Sequence, residues 1–134
     1  GLQEKLEAEF GARIWLQPNQ TEVTPFFSDE TTHADLRTFL AQELNAEKAG
    51  ITVYDQSDCI DLCPTGLDKG SGLAFLCTRM GWELSETAAV GDGVNDEPML
   101  RAAGCSIGIG RQPVAGAQFT VPTIQDAITY LLTL

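Results

Sequence analysis

At 134 residues the chain has room for one ordinary domain or two small ones. Its 43% hydrophobic and 20% charged residues are those of a folded protein, which excludes a disordered tail or a fibre. The formal net charge of −11, from 8 basic and 19 acidic residues, opposes attraction to nucleic acid or to an anionic membrane surface, and neither partner is expected. Leu2, Leu6 and Phe10 fall four apart and predict a short amphipathic helix ended by Gly11. A hairpin is expected next: Ile14 and Leu16 alternate with Arg13, Trp15 and Gln17, Pro18-Asn19-Gln20 turns the chain, and Thr21 to Phe27 alternates through Val23. Thr32, three residues before Asp35, reads as the helix cap for a second helix with Leu36, Phe39, Leu40 and Leu44 on one face, stopping near Gly50. Its lone histidine, His33, is expected on the exposed helix start. Ile51 to Tyr54 and Cys59 to Leu62 then read as two short strands, with Asp55 and Asp58 as turn residues between them. Residues 1–63 thus spell αββαββ.

From Pro64 the pattern changes. A loop leads to Lys69-Gly70 and a helix whose Leu73, Leu76, Cys77 and Met80 keep helical spacing. Thr87 to Val90 is apolar without alternation, which suits a parallel strand buried on both faces. Pro98 sits in the first turn of the next helix and Gly104 is expected as its C-cap. A strand over Cys105 to Ile109 follows, and Pro122-Thr123 opens a last helix with Ile124, Ala127, Ile128 and Leu131 in one stripe. Residues 64–134 therefore alternate helix and strand, the pattern of a doubly wound α/β sheet. No apolar run reaches 18 residues and Gly1 to Leu6 lacks a basic-then-apolar layout, so a cytoplasmic setting is expected. Cys59, Cys63, Cys77 and Cys105 lie in mostly apolar stretches and are expected to be reduced structural thiols; with one histidine and no second close cysteine pair, zinc is not expected.

The chemistry concentrates in Val90-Gly91-Asp92-Gly93-Val94-Asn95-Asp96. In an open parallel sheet, ligands bind beyond the carboxyl ends of the strands, and Asp92 stands where the strand ending at Val90 releases into its loop. Gly91 and Gly93 are expected to allow tight or left-handed backbone there. Asp92 and Asp96 are the hard oxygen ligands that Mg2+ takes, Asn95 adds a donor and an acceptor, and a helix opening near Asp96 would aim amide N–H groups at the loop. Lys69, ahead of its helix, is a point charge for a phosphate. The same residues also suit a plain turn with Asn95 or Asp96 as an N-cap, and a solvated lysine; their combination favours the site.

Asp68-Lys69-Gly70 and its helix, Val90 to Leu100, and Ala103-Gly104 with a Gly-rich strand together resemble haloacid dehalogenase-like phosphatases of the Cof-like, phosphoglycolate-phosphatase and sucrose-phosphatase branch. The resemblance implies a HAD-like core with a small α+β cap, residues 1–63 matching the αββαββ cap and residues 64–134 the C-terminal half of the core. It implies Mg2+ as cofactor, with Asp92 and Asp96 as metal residues, Lys69 balancing charge on phosphate and nucleophile, and Gly70 and Asn95 beside the phosphate. It further implies a small phosphorylated metabolite as substrate, a sugar phosphate or phosphoglycolate-like ester. The family's Asp-x-Asp-Gly-Thr nucleophile motif does not occur in these residues, so the chain is expected to begin at the cap, to be inactive alone, and to self-associate or be complemented by the other core half. Trp15, Gln17, Asn19 and Glu22 are candidate substrate-facing cap residues. Two other readings are a noncatalytic Mg-binding or association module of the same fold, and part of a P-type ATPase phosphorylation domain, which Gly91 to Asp96 also resembles.

Overall fold

The computed structural model describes residues 1–134 and places them in two units, Gly1–Gly66 and Leu67–Leu134. In the first unit the four-residue spacing makes helix α1 (Leu2–Phe10), with Leu6 and Phe10 buried and Gly11, at φ 50°, ending it. These two side chains form one core with Leu36, Leu40, Ile60 and Leu62. Burying each large apolar side chain contributes about 1.5–3 kcal/mol. Phe10 and Phe39 meet edge to face, with ring centroids 5.5 Å apart.

The expected hairpin forms but is short: β1 (Trp15–Leu16) pairs antiparallel with β2 (Pro25–Phe26) through Trp15 with Phe26 and Leu16 with Pro25. Pro25 brings no N–H to the ladder. Val23 pairs with Leu62 instead, exchanging N–H···O bonds of 3.1 and 3.0 Å. The cap of α2 (Glu30–Glu43) is Asp29, not Thr32. Asp29 sits in extended conformation and its carboxylate accepts from both the Thr32 amide and hydroxyl, at 2.8 Å each, leaving Thr32 buried in the first turn. Nor does the helix run to Gly50. Leu44 is extended, and a separate turn, α3 (Ala46–Ala49), starts under the Asn45 side chain and stops at left-handed Gly50.

Strands β3 (Ile51–Asp55) and β4 (Ile60–Pro64) pair antiparallel as expected. Asp58 lies in their turn, but Asp55 ends β3 and binds Arg37 at 2.5 Å and His33 at 2.6 Å. His33 is accordingly half-buried, stacked on Phe27 with centroids 4.2 Å apart, rather than exposed. Burial would raise the Asp55 carboxyl, but hydrogen bonds from Arg37 and His33 outweigh it and hold the group below the usual carboxylate range.

In the second unit Asp68 caps α4 (Lys69–Met80), accepting from the Ser71 amide at 2.8 Å while Ser71 Oγ accepts from the Asp68 amide. Of the expected stripe, Leu73 and Cys77 turn inward, whereas Leu76 and Met80 are about half exposed. Residues 73 and 77 share one helical ridge and 76 and 80 the next, so covering one ridge leaves the other open. Strands β5 (Ala88–Gly91), β6 (Cys105–Ile109) and β7 (Phe119–Val121) form a parallel sheet in that order; β7 was not expected from the sequence. On one sheet face Ala89 joins Leu100 of α5 (Glu97–Ala102), with Leu73 and Val114 against them. On the other, Phe119 meets Tyr130 of α6 (Ile124–Leu131) at 4.7 Å. Helices on both faces of a parallel sheet make this a doubly wound α/β arrangement.

Gly104 is not a left-handed cap. A Cβ there would lie 2.1 Å from the Ser85 carbonyl oxygen, so close backbone approach accounts for the glycine. In α6, Ala127 is fully buried but Ile124 and Ile128 are largely exposed. No helix is long and apolar enough to cross a membrane.

Candidate active site

Gly91 closes β5 in register with Gly108 of β6, and the chain leaves the sheet's carboxyl edge at Asp92. A 3-10 turn over Val94–Asp96 precedes α5, with Pro98 in the first turn where its missing N–H breaks no helix bond. This turn buries Asp96 under the loop. Asp96 Oδ2 accepts from the amides of Asp92 at 2.9 Å and Gly93 at 3.0 Å, and Oδ1 accepts from Lys69 Nζ at 2.5 Å. One carboxylate therefore ties the loop after β5 to the first residue of α4. Burial would raise the Asp96 carboxyl; the Lys69 ammonium and the two amides outweigh it and hold the group below the usual range.

The amides of Asp92 and Gly93 are thus committed to Asp96, and the helix expected to open near Asp96 begins at Glu97, directly after the 3-10 turn. Of the tight or left-handed conformations expected at Gly91 and Gly93, neither residue takes the left-handed one. Gly91 is needed for space: a Cβ would lie 2.6 Å from Asp96 Cβ and Oδ2, where the buried carboxylate passes beneath. Gly70 is buried, and a Cβ there would lie 2.6 Å from the Pro98 carbonyl oxygen, so it lets α4 approach α5 and brings Lys69 next to Asp96. No sequence pattern shows these two close approaches in advance.

Asp92 is exposed, and its carboxylate makes no hydrogen bond or ion pair. Asn95 is half-buried in the same turn. Lys69 keeps half its side chain in solvent, and one of its three ammonium protons is directed at Asp96. The arrangement places a free carboxylate and a held cation at the sheet's carboxyl edge. No three His, Cys, Asp or Glu side chains stand together as a ready-made metal cage. The four cysteines are free thiols, and burial, with Asp61 and Asp58 nearby, pushes Cys59 up to about 12, so it stays protonated and unreactive.

Residues 14–115 match the family model of haloacid dehalogenase-like hydrolases. The phosphoglycolate phosphatase of Methanopyrus kandleri is 40% identical over 57 residues, which cover 42% of this chain and 25% of that protein. The HMP-PP phosphatase of Citrobacter koseri is 37% identical over 79 residues, 59% of this chain and 28% of the relative. The chain spans roughly a quarter of the length of these curated relatives. Among solved structures, the sucrose-phosphatase of Synechocystis sp. PCC6803 shares the fold with a TM-score of 0.63 at 19% identity, covering 96% of this chain and 60% of that one. A haloacid dehalogenase-like hydrolase from Bacteroides thetaiotaomicron does so at 0.62 and 21%, covering 86% and 45%. The family match takes in the β5 loop, Lys69 and most of both units. The chain belongs to the haloacid dehalogenase-like hydrolases.

Proposed function

We propose that this chain supplies the metal-binding and charge-balancing part of a magnesium-dependent phosphatase site, acting on a small phosphorylated metabolite in a cytoplasmic setting. The observation that carries the reading is the Lys69–Asp96 clasp at the carboxyl edge of β5, with Asp92 beside it uncommitted. Magnesium takes one or two carboxylates and completes its shell with water and phosphate oxygens, so Asp92 with such partners is enough donor chemistry without a full protein cage. Asp92 is the direct ligand in this reading. Asp96, whose Oδ2 already accepts two amides, holds the loop and takes part in the metal site through its Oδ1 side. When bound, the cation would neutralise charge on the phosphoryl group and polarise its oxygens.

The chain's own residues do the rest. Lys69 has ammonium protons left after Asp96, and they offset the transferring phosphoryl charge. The Asn95 amide orients the phosphate, and Gly70 acts through packing that fixes where Lys69 begins. Transfer through an aspartyl-phosphate needs a carboxylate nucleophile, and no Asp-x-Asp pair occurs in these 134 residues. That group is proposed to come from the other half of the core, with residues 64–134 as the C-terminal half and residues 1–63 as the cap. Complementation by that half, or self-association, would cover the apolar residues left open on α4 and α6. The names of one relative, phosphoglycolate phosphatase, and of the sucrose-phosphatase that shares the fold support a sugar phosphate or phosphoglycolate-like ester as substrate.

The test is hydrolysis of p-nitrophenyl phosphate with Mg2+. The 134-residue chain alone is expected to show no turnover, and the same residues joined to an Asp-x-Asp strand are expected to show turnover that Asp92→Ala abolishes. Robust turnover by the chain alone would overturn the divided site. Turnover in the joined protein that survives Asp92→Ala would overturn the assignment of the metal loop.

A further inference from the structure

The cations of this acidic chain are nearly all committed. Lys5, Arg13, Arg37, Lys69 and Arg101 each hold a carboxylate. Lys48 and Arg79 lie in the last turns of α3 and α4, where a positive charge meets the negative end of the helix. Arg111 is left. It belongs to no helix, ion-pairs with none of the 19 acidic side chains, and makes no hydrogen bond.

Its position gives the free charge meaning. β6 runs parallel to β5 with Gly108 beside Gly91, so the chain leaves β6 after Ile109 at the same edge where Asp92 leaves β5. Adjacent strands lie about 4.8 Å apart, which puts the two loops next to one another where ligands of parallel sheets bind. A cleft of about 660 Å³ opens beside Arg111, with Gln112, Pro113, Gln118 and Thr120 among its walls. Thr120 Oγ1 already accepts from the Val114 amide, and the Gln118 amide is bound to Ser106 and Gly104. Arg111 and Gln112 are exposed and hold no hydrogen bond, Arg111 is the charged side chain among the cleft's walls, and a guanidinium fork matches a carboxylate or a phosphate with two parallel hydrogen bonds.

We propose that Arg111, with Gln112, binds a second anionic group, a carboxylate or phosphate, carried by the leaving-group part of the substrate. The inference rests on the phosphatase reading and narrows its substrate class to phosphoesters with a second negative charge. Such a ligand is the kind a chain of net charge −11 would otherwise repel most.

The experiment compares 2-phosphoglycolate with 2-hydroxyethyl phosphate, which exchanges the carboxylate for an alcohol. Each is titrated into the 134-residue chain with Mg2+ and followed by NMR amide shifts, for the wild type, Arg111→Gln and Asp92→Asn. The wild type is expected to bind the carboxylate ester about tenfold more tightly, the size of one charge-assisted pair. Arg111→Gln is expected to remove that preference, with urea midpoints showing whether the variant is still folded. Asp92→Asn is expected to weaken both esters and keep the preference. No preference in the wild type, or one that survives in Arg111→Gln, would overturn the role of Arg111 and leave the phosphatase reading standing. Failure of both esters to bind the wild type would overturn both.

Discussion

A methyl group at Gly91 would meet Asp96 Cβ and Oδ2 at 2.6 Å, and Asp96 has no room to yield because Lys69 and two amides hold it. Gly91→Ala is therefore expected to cost about 1–3 kcal/mol, the range for overpacking a tight site, read as a lower urea midpoint. A second expectation concerns the charge itself. The folded Asp96 carboxyl titrates below its unfolded value of about 3.9. Its ionised form thus adds stability that is fully present above that pH and lost as pH falls through the lower folded value. The stability gap between wild type and Asp96→Asn should be constant from pH 7 to 5 and shrink below pH 4; a gap that stays flat to pH 2 would disprove the clasp. Lys69, Asp92, Asn95 and Asp96 are legible as a group in the sequence because acids, an amide and a lysine recur at strand ends where cations and phosphates bind. Which acid is spent on the backbone is not legible. That depends on where the 3-10 turn aims Asp96, and nothing in Val94-Asn95-Asp96 distinguishes that turn from the first turn of a longer helix.

At the scale of elements, the site depends on where α4 begins. Asp68 takes the Ser71 amide, and the helix so started has Lys69 as its first residue. Asp68→Ala is expected to lower stability by about 1 kcal/mol, while Asp68→Asn, an equally good cap, should stay within a few tenths. If the two variants unfold at the same urea concentration, capping does not fix this helix start. The elements that the sequence shows plainly are those marked over their whole length, by helical spacing in α1 and α4 and by short apolar runs in β3, β4, β5 and β6. Those missed or shortened are governed by single contacts. β7 has three residues and is held by register with β6, α3 is one turn set by Asn45 and Gly50, and β2 is cut short where Pro25 and the Val23–Leu62 pairing take over. Helical spacing likewise finds the apolar stripes of α4 and α6 without saying which ridge meets a neighbour.

The ridges left open decide the behaviour of the whole chain. Phe75, Leu76 and Met80 on α4, and Ile124 and Ile128 on α6, are exposed, and they favour association, while the net charge of −11 opposes it. The two effects respond oppositely to salt: repulsion falls as the screening length drops from about 30 Å at 0.01 M to about 10 Å at 0.1 M, and burial of apolar surface is not screened. Light scattering is therefore expected to show a larger mean mass at 0.5 M than at 0.01 M sodium chloride, rising with protein concentration. Leu76→Lys combined with Met80→Lys separates the causes. Two lysines reduce the negative charge, so repulsion alone would make the variant associate more readily than the wild type; loss of the high-salt species would show that the open ridge of α4 is the contact. A strictly monomeric wild type at every salt and protein concentration would mean that these apolar side chains are too scattered to bind another surface, and that the charge alone sets the state of the chain.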